Sequence, residues 1–202
     1  MNLPNKLTIS RFVLTVAFLA VMFSGMPYHE TIALALFCAG GISDFLDGQI
    51  ARRRKLITNF GILMDPLADK ILTCSAFIAL VERSKFNPDT GALPAVSVEA
   101  WMVVLIVARE LAITGLRLLA SSKGVTMAAE RYGKHKTISQ IVAIIALLVL
   151  DAHVEWWPWL RDIFGRLMPW FPEVALWVTV ILTFTSGALY LWRNRQIYLE
   201  DM

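Results

Sequence analysis

The feature that most constrains the fold is a series of apolar stretches, each close to the length that a helix needs to cross a lipid bilayer. The first and the last, near residues 8–25 and 174–193, each contain about that length of uncharged sequence. The four between them combine an apolar part with a charged part, and they run near residues 31–50, 61–82, 98–120 and 137–153. We therefore predict an all-α, polytopic membrane protein: one domain, residues 1–202, built as a bundle of six transmembrane helices.

Composition and charge support this prediction and indicate an orientation. Hydrophobic residues make up 57% of the 202 residues and the mean hydropathy is +0.60, which is more apolar surface than a soluble domain of this size buries easily. The predicted outer segments contain few basic residues, namely Arg83, Lys85, Arg161 and Arg166. The positive-inside rule therefore predicts that the N-terminus and the charged helix parts face the cytoplasm. Because topology explains the basic residues, we expect no nucleic acid partner.

Three segments outside the predicted spans have a distinct character. Residues 2–11 mix apolar and basic side chains, which favours a short N-terminal interfacial helix. Residues 84–97 contain turn-forming residues and predict an outer loop. Residues 154–172 are rich in tryptophan and proline, which is typical of anchoring at the level of the lipid headgroups.

Four aspartates lie within the charged parts of the second and third predicted spans. Asp44 and Asp47 are separated by three positions, and Asp65 and Asp69 by four. Helical residues at these offsets share a face. Two neighbouring helices joined by a short inner loop can therefore direct four carboxylates to one point.

Such a cluster needs compensating positive charge, because four carboxylates do not all stay ionised in a low dielectric. Lys70 and Arg52 could supply part of it, and a pair of divalent cations would supply more. Hard oxygen ligands suit Mg²⁺ or Mn²⁺. Two-metal sites are typical of enzymes that attack phosphorus. The alternative is a salt-bridge network that joins helices, but matched spacing on two helices favours two metal ions.

Small residues accompany the aspartates. Gly48 follows Asp47, Ala51 lies one turn later, and Gly61 lies one turn before Asp65. Each leaves room for a ligand to approach the helix backbone. Close helix packing in a membrane explains small residues equally well, so both interpretations stay open.

These residues form a pattern that resembles the signature of the CDP-alcohol phosphotransferase family. The pattern is Asp44-x-x-Asp47-Gly48-x-x-Ala51-Arg52, then eight residues, then Gly61-x-x-x-Asp65-x-x-x-Asp69. The resemblance implies a six-helix membrane bundle that forms a homodimer, with an active site that opens to the cytoplasm and holds two divalent ions.

The resemblance also implies residue roles. The implied metal ligands are Asp44, Asp47, Asp65 and Asp69. Asp69 also matches the family's general base. The positions implied to surround the CDP group are Gly48, Ala51, Arg52 and Gly61.

Segments outside the signature resemble the phosphatidylglycerophosphate synthases of bacteria. They are Pro4-Asn5-x-Leu7-Thr8-x-x-Arg11, Arg109-Glu110, and Gly133-Lys134-x-Lys136-Thr137 with Gln140. This likeness implies an enzyme of the bacterial inner membrane that transfers a phosphatidyl group from CDP-diacylglycerol to sn-glycerol 3-phosphate, in contact with membrane lipids. The products would be phosphatidylglycerol phosphate and CMP.

A dianionic acceptor needs basic residues near the metals. The candidates for its phosphate are Arg109, Arg117, Lys134 and Lys136, with Glu110 orienting Arg109. Asn5 and Thr8 are candidates for hydrogen bonds to the nucleotide, although a helix cap explains them almost as well.

Two other functions are compatible with parts of the sequence. A family member with another acceptor, such as inositol phosphate, serine or phosphatidylglycerol, would share the signature. A divalent-cation transporter can also contain intramembrane aspartates, but it typically has its ions near the bilayer midplane and repeated halves. In this chain the aspartates lie towards one face and no repeat is evident.

Overall fold

The computed structural model describes residues 3–54, 59–85, 96–123, 132–167 and 170–199. Within these ranges the chain is helical, with no strand, as predicted. The α-helices are α1 (Leu3–Met22), α2 (His29–Arg54), α3 (Asn59–Lys85), α4 (Ala100–Ser122), α5 (Tyr132–Ala152), α6 (Pro158–Leu167), α7 (Phe171–Arg193) and α8 (Gln196–Leu199). A short 3-10 turn, His153–Glu155, follows α5. The six long helices coincide with the six predicted stretches.

The start of the chain differs from the prediction. In the described residues, α1 runs without interruption from Leu3 to Met22, so no separate interfacial helix precedes the first long helix. Pro4 does not break the helix because it lies in the first turn, where its missing N–H has no helical partner to lose. The polar N-terminal residues therefore form the first turns of α1.

Two helical stretches in the described part of the chain are long and apolar enough to cross a bilayer by themselves. They are His135–Glu155 and Phe171–Arg193. Ile9–Met22 and His29–Ser43, the parts of α1 and α2 whose side chains the structure describes, are apolar as well. In α4, the charged residues Arg109, Glu110 and Arg117 interrupt the apolar sequence. The result favours a membrane protein.

The long helices bury one side and expose apolar residues on the other. Phe18, Phe77, Ile106, Ile144 and Leu176 come from five different helices and meet in one core. On the outer sides of the same bundle, many branched and aromatic side chains are exposed. Water solvates such a surface poorly, whereas lipid chains solvate it well, so this pattern also fits a membrane protein.

At the end of the bundle where α2 begins, five buried or partly buried residues form a hydrogen-bonded network, here called the distal cluster. Its members are Glu30, Thr31, Arg83, Glu155 and Trp156. Glu155 Oε1 accepts a hydrogen bond from the backbone N–H of Glu30 (3.1 Å), and Oε2 accepts from the N–H of Thr31 (2.8 Å). A carboxylate thus caps the N-terminus of α2, where the helix dipole favours negative charge.

The other members of the distal cluster complete its hydrogen bonding. The Thr31 hydroxyl donates to Glu155 Oε2 (2.6 Å) and accepts from Trp156 Nε1 (3.0 Å). Arg83 of α3 forms a buried ion pair with Glu30, and its Nη1 lies 3.3 Å from His29 Nε2. The cluster therefore joins α2, α3 and the 3-10 turn.

The tryptophan-rich segment folds as the 3-10 turn and the short helix α6. Trp157 is 75% exposed, and Trp159 and Trp170 are also exposed. Exposed indole rings next to the basic residues Arg161 and Arg166 suit a headgroup layer, and this location stays a prediction. Residues 86–95 of the predicted outer loop lie outside the described residues.

Candidate active site

The signature aspartates lie on two helices that pack against each other. Asp44 and Asp47 lie in about the last three turns of α2, and Asp65 and Asp69 in about the first three turns of α3. Both segments are helical. The prediction that the two aspartates of each pair lie on one helix face assumed this geometry. The side chains of all four lie outside the described residues, as do those of Asn5, Thr8, Gly48, Ala51, Arg52 and Gly61.

A buried carboxylate binds three cations beside this region. Glu110 of α4 is 3% exposed and accepts hydrogen bonds from Lys70 of α3 and Lys136 of α5. Arg109 Nη1 lies 3.2 Å from the same carboxylate. We call Lys70, Arg109, Glu110 and Lys136 the lysine–glutamate cluster. Its cations outnumber its carboxylate, so within these four residues the cluster has a surplus of positive charge.

This pairing differs from the predicted role of Glu110. The sequence suggested that Glu110 orients Arg109, whereas Glu110 also holds two lysines from other helices. Lys70 is a signal that could have revealed this arrangement. It is a cation directly after Asp69 in a predicted membrane span, and such a residue needs a buried partner.

A cavity of about 420 Å³ lies between α1, α2, α3, α4 and α5. That volume is typical of small-molecule sites. Most of its wall is apolar, and its polar lining residues are Arg11, Lys70, Thr73, Glu110, Lys136, Thr137 and Gln140. Two wall residues connect it to the signature segments: Gly41 lies one turn before Asp44, and Lys70 follows Asp69. The cavity therefore adjoins the helix segments that carry the aspartates.

The structure separates the four predicted acceptor-binding residues. Lys136 is 4% exposed and lines the cavity. Lys134 lies in the first turn of α5, and its side chain lies outside the described residues. Arg109 and Arg117 are not among the described residues that line the cavity.

The two arginines face α7 instead. Arg109 Nη2 donates to Ser186 Oγ (3.3 Å), and a Cβ atom on Gly187 would lie 2.7 Å from Arg109 Cγ. Arg117 Nε donates to the Tyr190 hydroxyl (3.3 Å), and its guanidinium lies 5.7 Å from the centre of that ring. Arg109 remains linked to the lysine–glutamate cluster through Glu110, whereas Arg117 contacts Tyr190 of α7.

Two cavity-lining residues had no site role in the sequence-based prediction. Arg11 of α1 and Gln140 of α5 are both buried in the cavity wall. Gln140 lies four residues after Lys136, so helical spacing alone would have placed it on the same face. Arg11 was part of the N-terminal segment that resembles the bacterial synthases, and its burial in the cavity wall makes it a further candidate site residue.

The fold and this site agree with a comparison of the sequence with family models. The model for CDP-alcohol phosphatidyltransferases matches residues 1–185. The chain belongs to the CDP-alcohol phosphatidyltransferase family.

Relatives in three bacteria share most of their length with the chain, and each is named CDP-diacylglycerol–glycerol-3-phosphate 3-phosphatidyltransferase. The Bacillus subtilis protein is 36% identical, over 96% of this chain and 95% of the relative. The Rickettsia bellii protein is 32% identical, over 94% and 93%. The Cereibacter sphaeroides protein is 29% identical, over 99% and 98%.

Proposed function

We propose that the chain transfers the phosphatidyl group of CDP-diacylglycerol to sn-glycerol 3-phosphate, and so forms phosphatidylglycerol phosphate and CMP. The observation that carries this proposal is a buried, cation-rich cavity next to the helix segments with the four signature aspartates. Full-length similarity to relatives that bear this activity in their names supports the choice of acceptor. The enzyme acts in phospholipid biosynthesis.

The proposed setting is the bacterial plasma membrane. The six long helices would cross it, with the N-terminus and the active site on the cytoplasmic side. The distribution of basic residues and the exposed apolar helix faces support this topology. We also propose that the single domain forms a homodimer, by resemblance to the family.

The aspartates would hold two Mg²⁺ or Mn²⁺ ions. The residues present fit such ions, because Asp44, Asp47, Asp65 and Asp69 offer only hard oxygen donors from two packed helices. Among the residues whose side chains the structure describes, no other group of three potential ligands occurs. When bound, the ions supply positive charge that stabilises the attacking and leaving oxygens at phosphorus.

The chemical step needs a base and a bound donor. Asp69 would accept the proton of the acceptor hydroxyl, and the hydroxyl oxygen would form a new bond to the phosphorus of the phosphatidyl group as the bond to CMP breaks. The residues proposed to hold the CDP group are Asn5, Thr8, Gly48, Ala51, Arg52 and Gly61. The acyl chains would remain among the exposed apolar helix faces.

The acceptor phosphate would bind to basic residues of the cavity wall, which are Arg11, Lys70 and Lys136. Glu110 holds both lysines in place through ion pairs. A doubly charged phosphate attracts this surplus of cations strongly in a low dielectric. Arg109 would add positive charge from beside Glu110, and Lys134 would extend the basic surface at the start of α5. Arg117 would hold α4 against α7.

The test uses purified protein in detergent with CDP-diacylglycerol, Mg²⁺ and radiolabelled glycerol 3-phosphate. We expect label to enter the lipid phase, and EDTA to abolish this incorporation. Asp69→Asn should reduce the rate by about 10²- to 10⁴-fold, the usual contribution of a general base. The control is Asp162→Asn, which changes an exposed aspartate on α6 and should leave the rate unchanged.

The outcomes separate the possible functions. CMP release with inositol phosphate, serine or phosphatidylglycerol, but not with glycerol 3-phosphate, would keep the family and contradict the acceptor. Inactivity of folded protein with every alcohol would contradict the enzyme and favour a cation transporter.

A further inference from the structure

The cavity wall contains a buried polar group that lacks a partner within the described structure. The side-chain amide nitrogen of Gln140 makes no hydrogen bond to the described residues, although the residue is only 3% exposed. Buried amides are normally hydrogen-bonded, because removing them from water without a new partner is unfavourable. Since Gln140 lines the cavity, a ligand bound there can provide the missing partner.

The position of Gln140 limits the chemistry of that partner. It lies one helical turn beyond Lys136, about 6 Å farther along the axis of α5 on the same face. Most of the cavity wall is apolar, and Phe37, Leu72 and Ile141 belong to it. A neutral amide in apolar surroundings pairs well with a hydroxyl group but does not neutralise a phosphate, which the nearby lysines attract.

We propose that Gln140 is a specificity-determining residue, whose amide nitrogen donates a hydrogen bond to the C2 hydroxyl of glycerol 3-phosphate. This inference rests on the proposed function. With the acceptor phosphate at Lys70 and Lys136 and the C1 hydroxyl at Asp69, the C2 hydroxyl is the polar group of the acceptor that still needs a partner. Because Lys136 and Gln140 are about 6 Å apart along α5, one small molecule can contact both side chains through a phosphate on C3 and a hydroxyl on the neighbouring C2.

The test compares glycerol 3-phosphate with 3-hydroxypropyl phosphate, which keeps the phosphate and the primary hydroxyl but lacks the C2 hydroxyl. For the wild-type enzyme we expect kcat/KM to be about 10- to 100-fold lower with the analogue, because the amide then stays unpaired. Gln140→Met has a similar volume but no donor. It should reduce kcat/KM for glycerol 3-phosphate by a similar factor and leave kcat/KM for the analogue and KM for CDP-diacylglycerol unchanged.

A matched control removes another buried polar group that has no partner among the described residues. The Thr183 hydroxyl on α7 meets this description and is not among the described residues of the cavity wall. Thr183→Val should keep the wild-type preference for glycerol 3-phosphate over the analogue. The Tm of Gln140→Met should equal or exceed that of the wild type, whereas loss of a purely structural amide would lower it.

Two results would overturn this proposal while the proposed function stands. One is an equal kcat/KM of the wild-type enzyme for glycerol 3-phosphate and for the analogue. This measurement needs no variant. The other is a Gln140→Met enzyme that retains the wild-type preference. A wild-type enzyme that ignores glycerol 3-phosphate but uses another alcohol would instead overturn the proposed function and this inference with it.

Discussion

Helix α3 carries a partly buried cation near its middle, Lys70, and a buried cation near its C-terminal end, Arg83, and the two have different surroundings. Lys70 and Arg83 are thirteen residues, or about 20 Å, apart along the helix axis. Arg83 belongs to the distal cluster, where Glu30 and Glu155 provide two carboxylates and the hydrogen bonds link one helix end to its neighbours. Lys70 shares Glu110 with Lys136 and Arg109 beside a cavity.

The difference shows how to tell a structural polar cluster from a binding site inside a helical bundle. In the distal cluster, the Glu30–Arg83 ion pair and the hydrogen bonds of Glu155, Thr31 and Trp156 are all made between groups of the same chain, so the cluster stabilises the fold. In the lysine–glutamate cluster, positive charge exceeds the negative charge of Glu110, and an empty volume adjoins it. A surplus of positive charge next to a cavity is what the proposed anionic acceptor would require.

Arg83→Met should have the largest effect, and the effect should be on stability. The substitution leaves the Glu30 carboxylate buried without its ion-pair partner, which costs about 3–5 kcal/mol. The activity of the protein that stays folded should not change. Thermal unfolding in detergent, combined with activity per folded molecule, measures both. Arg161→Met, an exposed control on α6, should change stability by less than about 0.5 kcal/mol.

Lys136→Met should have a smaller effect, and the effect should be on catalysis. The variant loses a charged hydrogen bond to the acceptor phosphate, worth about 1.5–3 kcal/mol, so kcat/KM for glycerol 3-phosphate should fall about 10- to 100-fold. KM for CDP-diacylglycerol should stay near the wild-type value. The control is Lys123→Met, at the exposed end of α4. An equal rise in KM for both substrates would contradict the assignment of Lys136 to the acceptor.

Glu155→Gln should have the smallest effect, a loss of about 1 kcal/mol in stability. The substitution removes the negative charge and one acceptor oxygen from the N-terminus of α2 but keeps the size of the side chain. The melting temperature should fall slightly, and the kinetic constants for both substrates should not change. A change in acceptor preference would mean that the distal cluster also influences the active site. It would contradict a purely structural role for this cluster.

The positions of the helices could be predicted because they depend on local sequence. Apolar stretches of the right length determine where α1 to α5 and α7 lie, and the last predicted span ends at residue 193, as α7 does. The spacing of the aspartate pairs is also a local property, so their location on α2 and α3 needed no tertiary information. The short N-terminal interfacial helix was predicted from the mixture of apolar and basic side chains in residues 2–11, but such a mixture does not by itself end a helix.

The rotation of the helices could not be predicted, because it depends on packing between residues far apart in the chain. Arg109 and Glu110 are adjacent, and the sequence suggested that Arg109 points to the site with Glu110 as its support. The structure has Glu110 at the cavity and Arg109 against α7, where the missing side chain of Gly187 leaves room for it. The link between Glu155 and Thr31 spans 124 residues and has no local signal.

That long link also has a consequence for the order in which the protein is assembled. The backbone amides at the start of α2 are synthesised early, but the carboxylate that caps them leaves the ribosome 124 residues later. At about 5–20 residues per second, the delay is roughly 6–25 seconds. During this interval the beginning of α2 lacks its cap from Glu155, so the distal end closes only after α5 and the 3-10 turn arrive. A nascent chain arrested before residue 155 would therefore expose this helix end to membrane chaperones and proteases.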